Sequence, residues 1–131
     1  MIGISSTTPQ YLHALSIARE LKSDSSIPII FGGVHPTVMP KEVLQEDCVD
    51  YVVVGEAEET FNELLESIAS GKDPSTVKGI GYKGRKLRFT EPHCLIKDLD
   101  SLAFLARHLL PSRWYFAPQR IRGVWTNSLR P

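Results

Sequence analysis

Three short apolar runs constrain this chain more than any other feature. They are Ile2-Gly3-Ile4-Ser5, Ile27 to Phe31 and Tyr51 to Val54. None alternates apolar with polar residues, as a strand with one wet face would. Each reads as a strand buried on both sides, which occurs when helices cover both faces of a parallel sheet. Each run is followed by small residues and then by a helical pattern. Ser6-Thr7-Thr8-Pro9 leads to Ala14, Ile17, Ala18 and Leu21, spaced as one face of a helix over Gln10 to Lys22, with Thr8 as cap and Pro9 in the first turn. Gly32-Gly33-Val34-His35-Pro36 leads to a short helix over Pro40 to Glu46, with Val43 and Leu44 inward. Gly55 to Glu59 leads to a helix burying Phe61, Leu64, Leu65 and Ile68 and stopping at Gly71. Residues 1–71 therefore predict strand–helix three times over, an α/β fold with a parallel sheet.

Beyond Gly71 the pattern changes. Gly79 to Tyr82 and Lys86 to Phe89 flank Lys83-Gly84-Arg85 as a β-hairpin, and the stretch to Ser101 reads as extended with a turn at Asp98 to Ser101. Residues 72–101 are thus a hairpin and connecting segment. Residues 102–131 have no clean period and read as a linker that docks on a neighbouring domain. Arg113, Arg120, Arg122 and Arg130 with Trp114, Tyr115 and Trp125 imitate a basic–aromatic nucleic-acid stripe. The formal net charge of +0 supplies no global field for a polyanion, so no nucleic-acid partner is expected.

In open parallel sheets, ligands sit at the carboxyl ends of the strands. Here that edge carries Ser5 to Thr8, Gly32 to Pro36 and Gly55 to Glu59. Small residues let backbone approach a bulky or flat ligand, and the hydroxyls ahead of a helix suit a phosphate or amide. Gly32-Gly33 is not part of a G-x-G-x-x-G dinucleotide fingerprint, and no Walker-type G-x-x-x-x-G-K-[ST] occurs. His35 reads as a polar loop residue, and Glu56, Glu58 and Glu59 as carboxylates complementing a helix N-terminus. His13, His93 and His108 are scattered, with no metal spacing, so no catalytic and no metal-binding residue is predicted. Two cysteines, Cys48 and Cys94, cannot build a disulfide framework or hold an iron–sulfur cluster alone, and read as reduced thiols of a cytoplasmic protein. No run approaches the roughly 20 apolar residues of a membrane span. Met1 is followed by no basic region, so no signal peptide is expected.

Taken together, Gly3-Ile4-Ser5-Ser6-Thr7-Thr8, Phe31-Gly32-Gly33-Val34-His35-Pro36 and Asp50-Tyr51-Val52-Val53-Val54-Gly55-Glu56-Ala57-Glu58-Glu59-Thr60-Phe61 resemble the cobalamin-binding domain of radical S-adenosylmethionine enzymes. The subgroup includes the anaerobic magnesium-protoporphyrin IX monomethyl ester cyclases. Gly79-Ile80-Gly81-Tyr82, Ile96 to Leu102, Leu109-Leu110-Pro111 and Tyr115 resemble the stretch joining that domain to the radical core. Between Ser5 and Gly32 lie 26 residues, matching the family pattern. The resemblance implies a partial flavodoxin-like (Rossmann-like) fold. It carries over Ser5, Thr7, Gly32 and Gly33 as contacts to the nucleotide tail of cobalamin, with Gly55 and Glu56 on the third loop.

The resemblance also frames what is expected to be missing. The family domain has two strands before the one matched by Ile2 to Ser5, with the loop that carries D-x-H-x-x-G. The radical core opens with C-x-x-x-C-x-x-C, whereas Thr126 to Pro131 holds no cysteine. The expectation is a truncated cobalamin-binding module, inactive alone and without an iron–sulfur cluster. A three-strand sheet with Ile2–Ser5 as a bare apolar edge predicts a homodimer through that edge or the adjoining helix face. The alternatives are a non-catalytic self-associating module that has lost the cofactor, and a sensor of another phosphate-bearing ligand.

Overall fold

The computed structural model describes residues 1–111, 119–121 and 124–126. Two compact units divide the chain, Met1–Lys97 and Asp98–Pro131. In the first unit the elements are β1 (Ile2–Ser5), α1 (Tyr11–Asp24), β2 (Ile29–Gly32), α2 (Val34–Val38), α3 (Pro40–Gln45), β3 (Tyr51–Val53), α4 (Glu58–Ala69), β4 (Ile80–Lys83) and β5 (Leu87–Phe89). The sheet runs in the order β1-β2-β3-β4-β5. β1, β2 and β3 are parallel, with Ile4 opposite Phe31 and Phe31 opposite Val52. β4 is antiparallel to β3 and β5 to β4.

The hairpin predicted beyond Gly71 therefore does not stand apart from the sheet: it supplies the fourth and fifth strands and makes the sheet mixed. The sequence shows a hairpin but not what it pairs with, because strand pairing is a long-range choice. The premise of a marginal three-strand sheet falls with it.

β2 and β3 divide their side chains between two cores, as their lack of alternation requires; β1, expected to be buried on both sides, is not, since Ile2 and Ile4 pack on one core while Gly3 and Ser5 are exposed. On one face Ile29, Phe31 and Val52 meet Ala14, Leu15 and Ala18 of α1 and Val43 and Leu44 of α3. On the other, Ile30, Val53 and Ile80 meet Leu64 of α4 and Val77, with Ala57 and Phe61 packed against them. Full burial of one such aliphatic side chain stabilises by about 1.5–3 kcal/mol. Of the predicted face of α1, Ala14 and Ala18 are buried and Leu21 is half-buried, but Ile17 stays 41% exposed and Leu15 takes its place inward.

Polar ties fasten the opposite end of the sheet. The Asp50 carboxylate accepts from Lys22 Nζ at 2.6 Å and from the Ile29 amide at 2.8 Å. This fixes α1, β2 and the entry to β3 together.

Three local readings differ from the structure. Thr8 lies inside a 3-10 turn, Thr8–Gln10, that precedes α1, and no side-chain cap bond forms there. α2 was not visible in sequence: Val34 and Val38 are both exposed, so no apolar face marked it. In the second unit, short 3-10 turns span Leu99–Ser101 and Arg107–Leu109, and Gln119–Ile121 pairs antiparallel with Val124–Thr126. That pairing falls within the segment read as an unpatterned linker. The motif residues Arg113, Trp114, Tyr115, Arg122 and Arg130 lie outside the described residues.

After α4 the chain turns through Asp73, whose Oδ1 accepts from the Ser75 amide at 2.9 Å. Bonds from the Ser75 backbone and side chain hold the Asp73 carboxyl below its usual range. A lowered native value means that the stabilisation is complete above the ordinary carboxylate value, about 3.9. It is lost as pH falls through the lower native value. Carbon-detected NMR should show Asp73 titrating below an unstructured aspartate, and Asp73→Asn should remove that part of the acid dependence of stability.

Candidate functional site

Geometry at the β1 end of the sheet follows from side-chain alternation. Ile2 and Ile4 pack into the first core, so Gly3 and Ser5 face the α4 side. α4 packs against β2 and β3 on that side and meets β1 through Phe61, whose ring would lie 3.4 Å from a Cβ at Gly3. Gly3 and Ser5 are consequently exposed. The result is a groove of about 230 Å³ lined by Gly3, Ser5, Gly32, Gly33, Ala57 and Phe61, with Ile4, Ile30 and Val53 completing its wall. Sites that enclose a whole small ligand span roughly 300–1,000 Å³, so this groove suits one arm of a larger molecule.

Gly33 closes the groove at the carboxyl end. Its φ is +93°, a conformation that residues with a Cβ rarely adopt. A Cβ there would lie 2.6 Å from Ser5 Oγ, 3.1 Å from the Ser6 carbonyl oxygen and 3.2 Å from the Ser6 nitrogen. Two backbone bonds lock this approach: the Ser6 amide donates to the Gly32 carbonyl at 3.1 Å, and the His35 amide donates to the Ser6 carbonyl at 3.1 Å. Ser6 is 2% exposed and its Oγ finds no partner among the described residues. Its burial was not legible, because four consecutive hydroxyl residues give no sign of which turns inward.

Of the candidate contacts, Ser5, Gly32 and Gly33 come together in the groove, and Gly3, Ala57 and Phe61 join them. Thr7 does not line it; its hydroxyl donates to Gln10 Oε1 at 2.9 Å. Gly55 and Glu56 do not line it either. The Gly55 amide donates to Thr37 Oγ1 at 3.0 Å, and the Glu56 carboxylate accepts from the Ile96 amide at 2.7 Å. His35 stacks on Tyr11, ring centres 4.1 Å apart, and its Nδ1 lies 3.2 Å from Thr8 Oγ1. Glu58 and Glu59 occupy the first turn of α4, as their dipole reading requires. Among the described residues no three His, Cys, Asp or Glu side chains cluster as metal ligands. No helix among them is long and apolar enough to cross a membrane. Cys48 is buried, and its thiol is pushed up by that burial; Cys94 is exposed.

Residues 1–65 match the B12 binding domain, and over that half of the chain the protein belongs to this family. Its fold is the α/β type of a cobalamin-binding domain. An uncharacterized methyltransferase, PH0819, of Pyrococcus horikoshii is 32% identical over 120 residues, 89% of this chain and 26% of that protein. The anaerobic magnesium-protoporphyrin IX monomethyl ester cyclase of Synechocystis is 34% identical over 74 residues, 55% of this chain and 15% of that one. The chain thus spans about a quarter of the first relative's length and about a seventh of the second's. Two structures of the radical S-adenosylmethionine methyltransferase TsrM from Kitasatospora setae share the fold at 20% identity. One, with tryptophan substrate and aza-SAM, gives a TM-score of 0.63 over 70% of this chain and 19% of that one. The other, with cobalamin and a 4Fe-4S cluster, gives 0.64 over 79% and 20%.

Gly33→Ala should cost about 1–3 kcal/mol for the positive φ alone. The crowding against Ser5 and Ser6 adds to it. Denaturant unfolding of the two proteins measures the difference.

Proposed function

We propose that this chain holds one arm of cobalamin in the groove between β1 and α4, as the cofactor-binding module of a radical S-adenosylmethionine enzyme. The carrying observation is that Gly3, Ser5, Gly32 and Gly33 present small residues and backbone along one groove, with the Phe61 ring at its side. This surface fits the flat, polar-edged base of a nucleotide tail. Ser5 Oγ and nearby backbone offer polar contacts, while Phe61 and Ala57 offer an apolar wall. The family match over residues 1–65 supports the same reading.

Cobalamin, when bound, supplies the cobalt chemistry; the chain supplies position and shelter. The module is inactive alone and serves a parent of the oxidative-cyclase-like or methyltransferase-like kind, whose radical core determines the reaction. Hydroxocobalamin added anaerobically should be retained near one per chain after desalting, as read by visible absorbance. Ser5→Leu, which fills the groove from an exposed position, should abolish retention while the protein still unfolds in one cooperative transition. No retention by the wild type would overturn the cofactor reading. Equal retention by Ser5→Leu would remove the groove from it.

Self-association is the second reading, favoured by the bare edge of β1. The Ile2 amide donates to the Pro28 carbonyl just ahead of β2 and the Ser6 amide to the Gly32 carbonyl of β2, so by alternation the polar backbone of Gly3 and Ser5 points away from the sheet. Leu12, 76% exposed, and Ile17 lie on the neighbouring helix. A two-fold dimer through this edge or helix face should sediment as such at micromolar concentration. A monomer there would exclude it.

A further inference from the structure

The extended segment that follows β5 does more than leave the sheet. The Thr90 amide donates to the Ile80 carbonyl at 2.9 Å, and the Gly79 amide donates to the Glu91 carbonyl at 2.7 Å. The segment then runs along the N-terminal half of α4. A Cβ at Gly79 would meet His93 Cβ at 3.2 Å and Thr60 Oγ1 at 3.3 Å, so strap, glycine and helix meet in close packing. The His93 side chain is 18% exposed, with Nε2 3.7 Å from Glu59 Oε2 and 4.0 Å from Glu63 Oε1. Last, the Ile96 amide donates to Glu56 Oε2 at 2.7 Å. That is the short distance of a charge-assisted bond.

Glu56 is adjacent to Ala57, the residue that caps α4 and lines the groove. The Phe61 amide bonds the Ala57 carbonyl at 2.7 Å, and Phe61 is the groove's aromatic wall. The loop 55–57 is held from both sides, by Thr37 on Gly55 and by Ile96 on Glu56.

We infer that Glu56 is a positioning residue for this groove: by tying the 90–97 strap to the start of α4 it sets where Ala57 and Phe61 stand. The consequence of that geometry for ligand affinity rests on the cobalamin reading; the geometry itself does not. NMR spectra of the full chain without cofactor test it. Glu56→Ala should shift the Ile96 amide and also the Ala57 methyl, Phe61 ring and Gly3 signals. Glu56→Gln keeps an acceptor oxygen and should restore all four towards wild type. Ile96→Pro removes the donor from the other side and should reproduce the shifts of Glu56→Ala, with the carboxylate intact. With hydroxocobalamin, Glu56→Ala should weaken retention about tenfold, the equivalent of one bond to a charged group. Movement of Ile96 alone, with Gly3 and Phe61 unchanged, would overturn the inference, as would Glu56→Gln behaving like Glu56→Ala. The expected shifts in a protein that retains no cobalamin would uphold the positioning role and sink the cofactor reading.

Discussion

The approach of the Gly33 backbone to that of Ser6 is the contact on which the site depends. Two hydrogen bonds and a positive φ bring the loops after β1 and β2 to a separation that no side chain permits. Once they are that close, Ser5 Oγ and the Gly32–Gly33 backbone share one surface. A larger residue at either place would force the loops apart or fill the space between them. The groove is therefore a product of close backbone packing, not of a recess left by poor packing.

Coverage of the sheet is uneven, and function is read from that unevenness. One face is closed along β1, β2 and β3 by α1 and α3. On the other, α4 packs against β2 and β3 and meets β1 through Phe61, and β1 presents a glycine and a serine there. The same geometry serves both proposed roles. A flat ligand arm finds small residues and an aromatic wall, and the open backbone edge of β1 finds no strand of the described sheet on its outer side. Binding and association through this region would compete or cooperate according to how much of the groove each covers.

The strap shows that a carboxylate's partner is not legible from its position alone. Glu56 sits on the loop where the family resemblance led us to expect a cofactor contact, and there one of its oxygens, Oε2, accepts from the Ile96 amide. Nothing within a few residues of Glu56 signals this, because its partner lies 40 positions away. Thr7 is a simpler case: its hydroxyl is satisfied within its own turn by Gln10. His35 packs on Tyr11 and meets Thr8 through Nδ1, but it stands inside α2 and not on the loop where its neighbours in sequence had placed it.

By itself the sequence determined the parallel α/β core. Runs such as Ile29-Ile30-Phe31 make sense only with apolar cover on both sides, and the helical spacing that follows each run supplies that cover. It also singled out Ser5, Gly32 and Gly33, small residues directly after buried strands, which the fold brings together in one groove. Only the tertiary structure decided that the hairpin joins β3, that Gly3, Ala57 and Phe61 complete the groove, and that Glu56 holds a strap. Each of those choices pairs residues far apart in the chain. Local propensity does not encode such pairs; the packing of the whole sheet against α4 selects them.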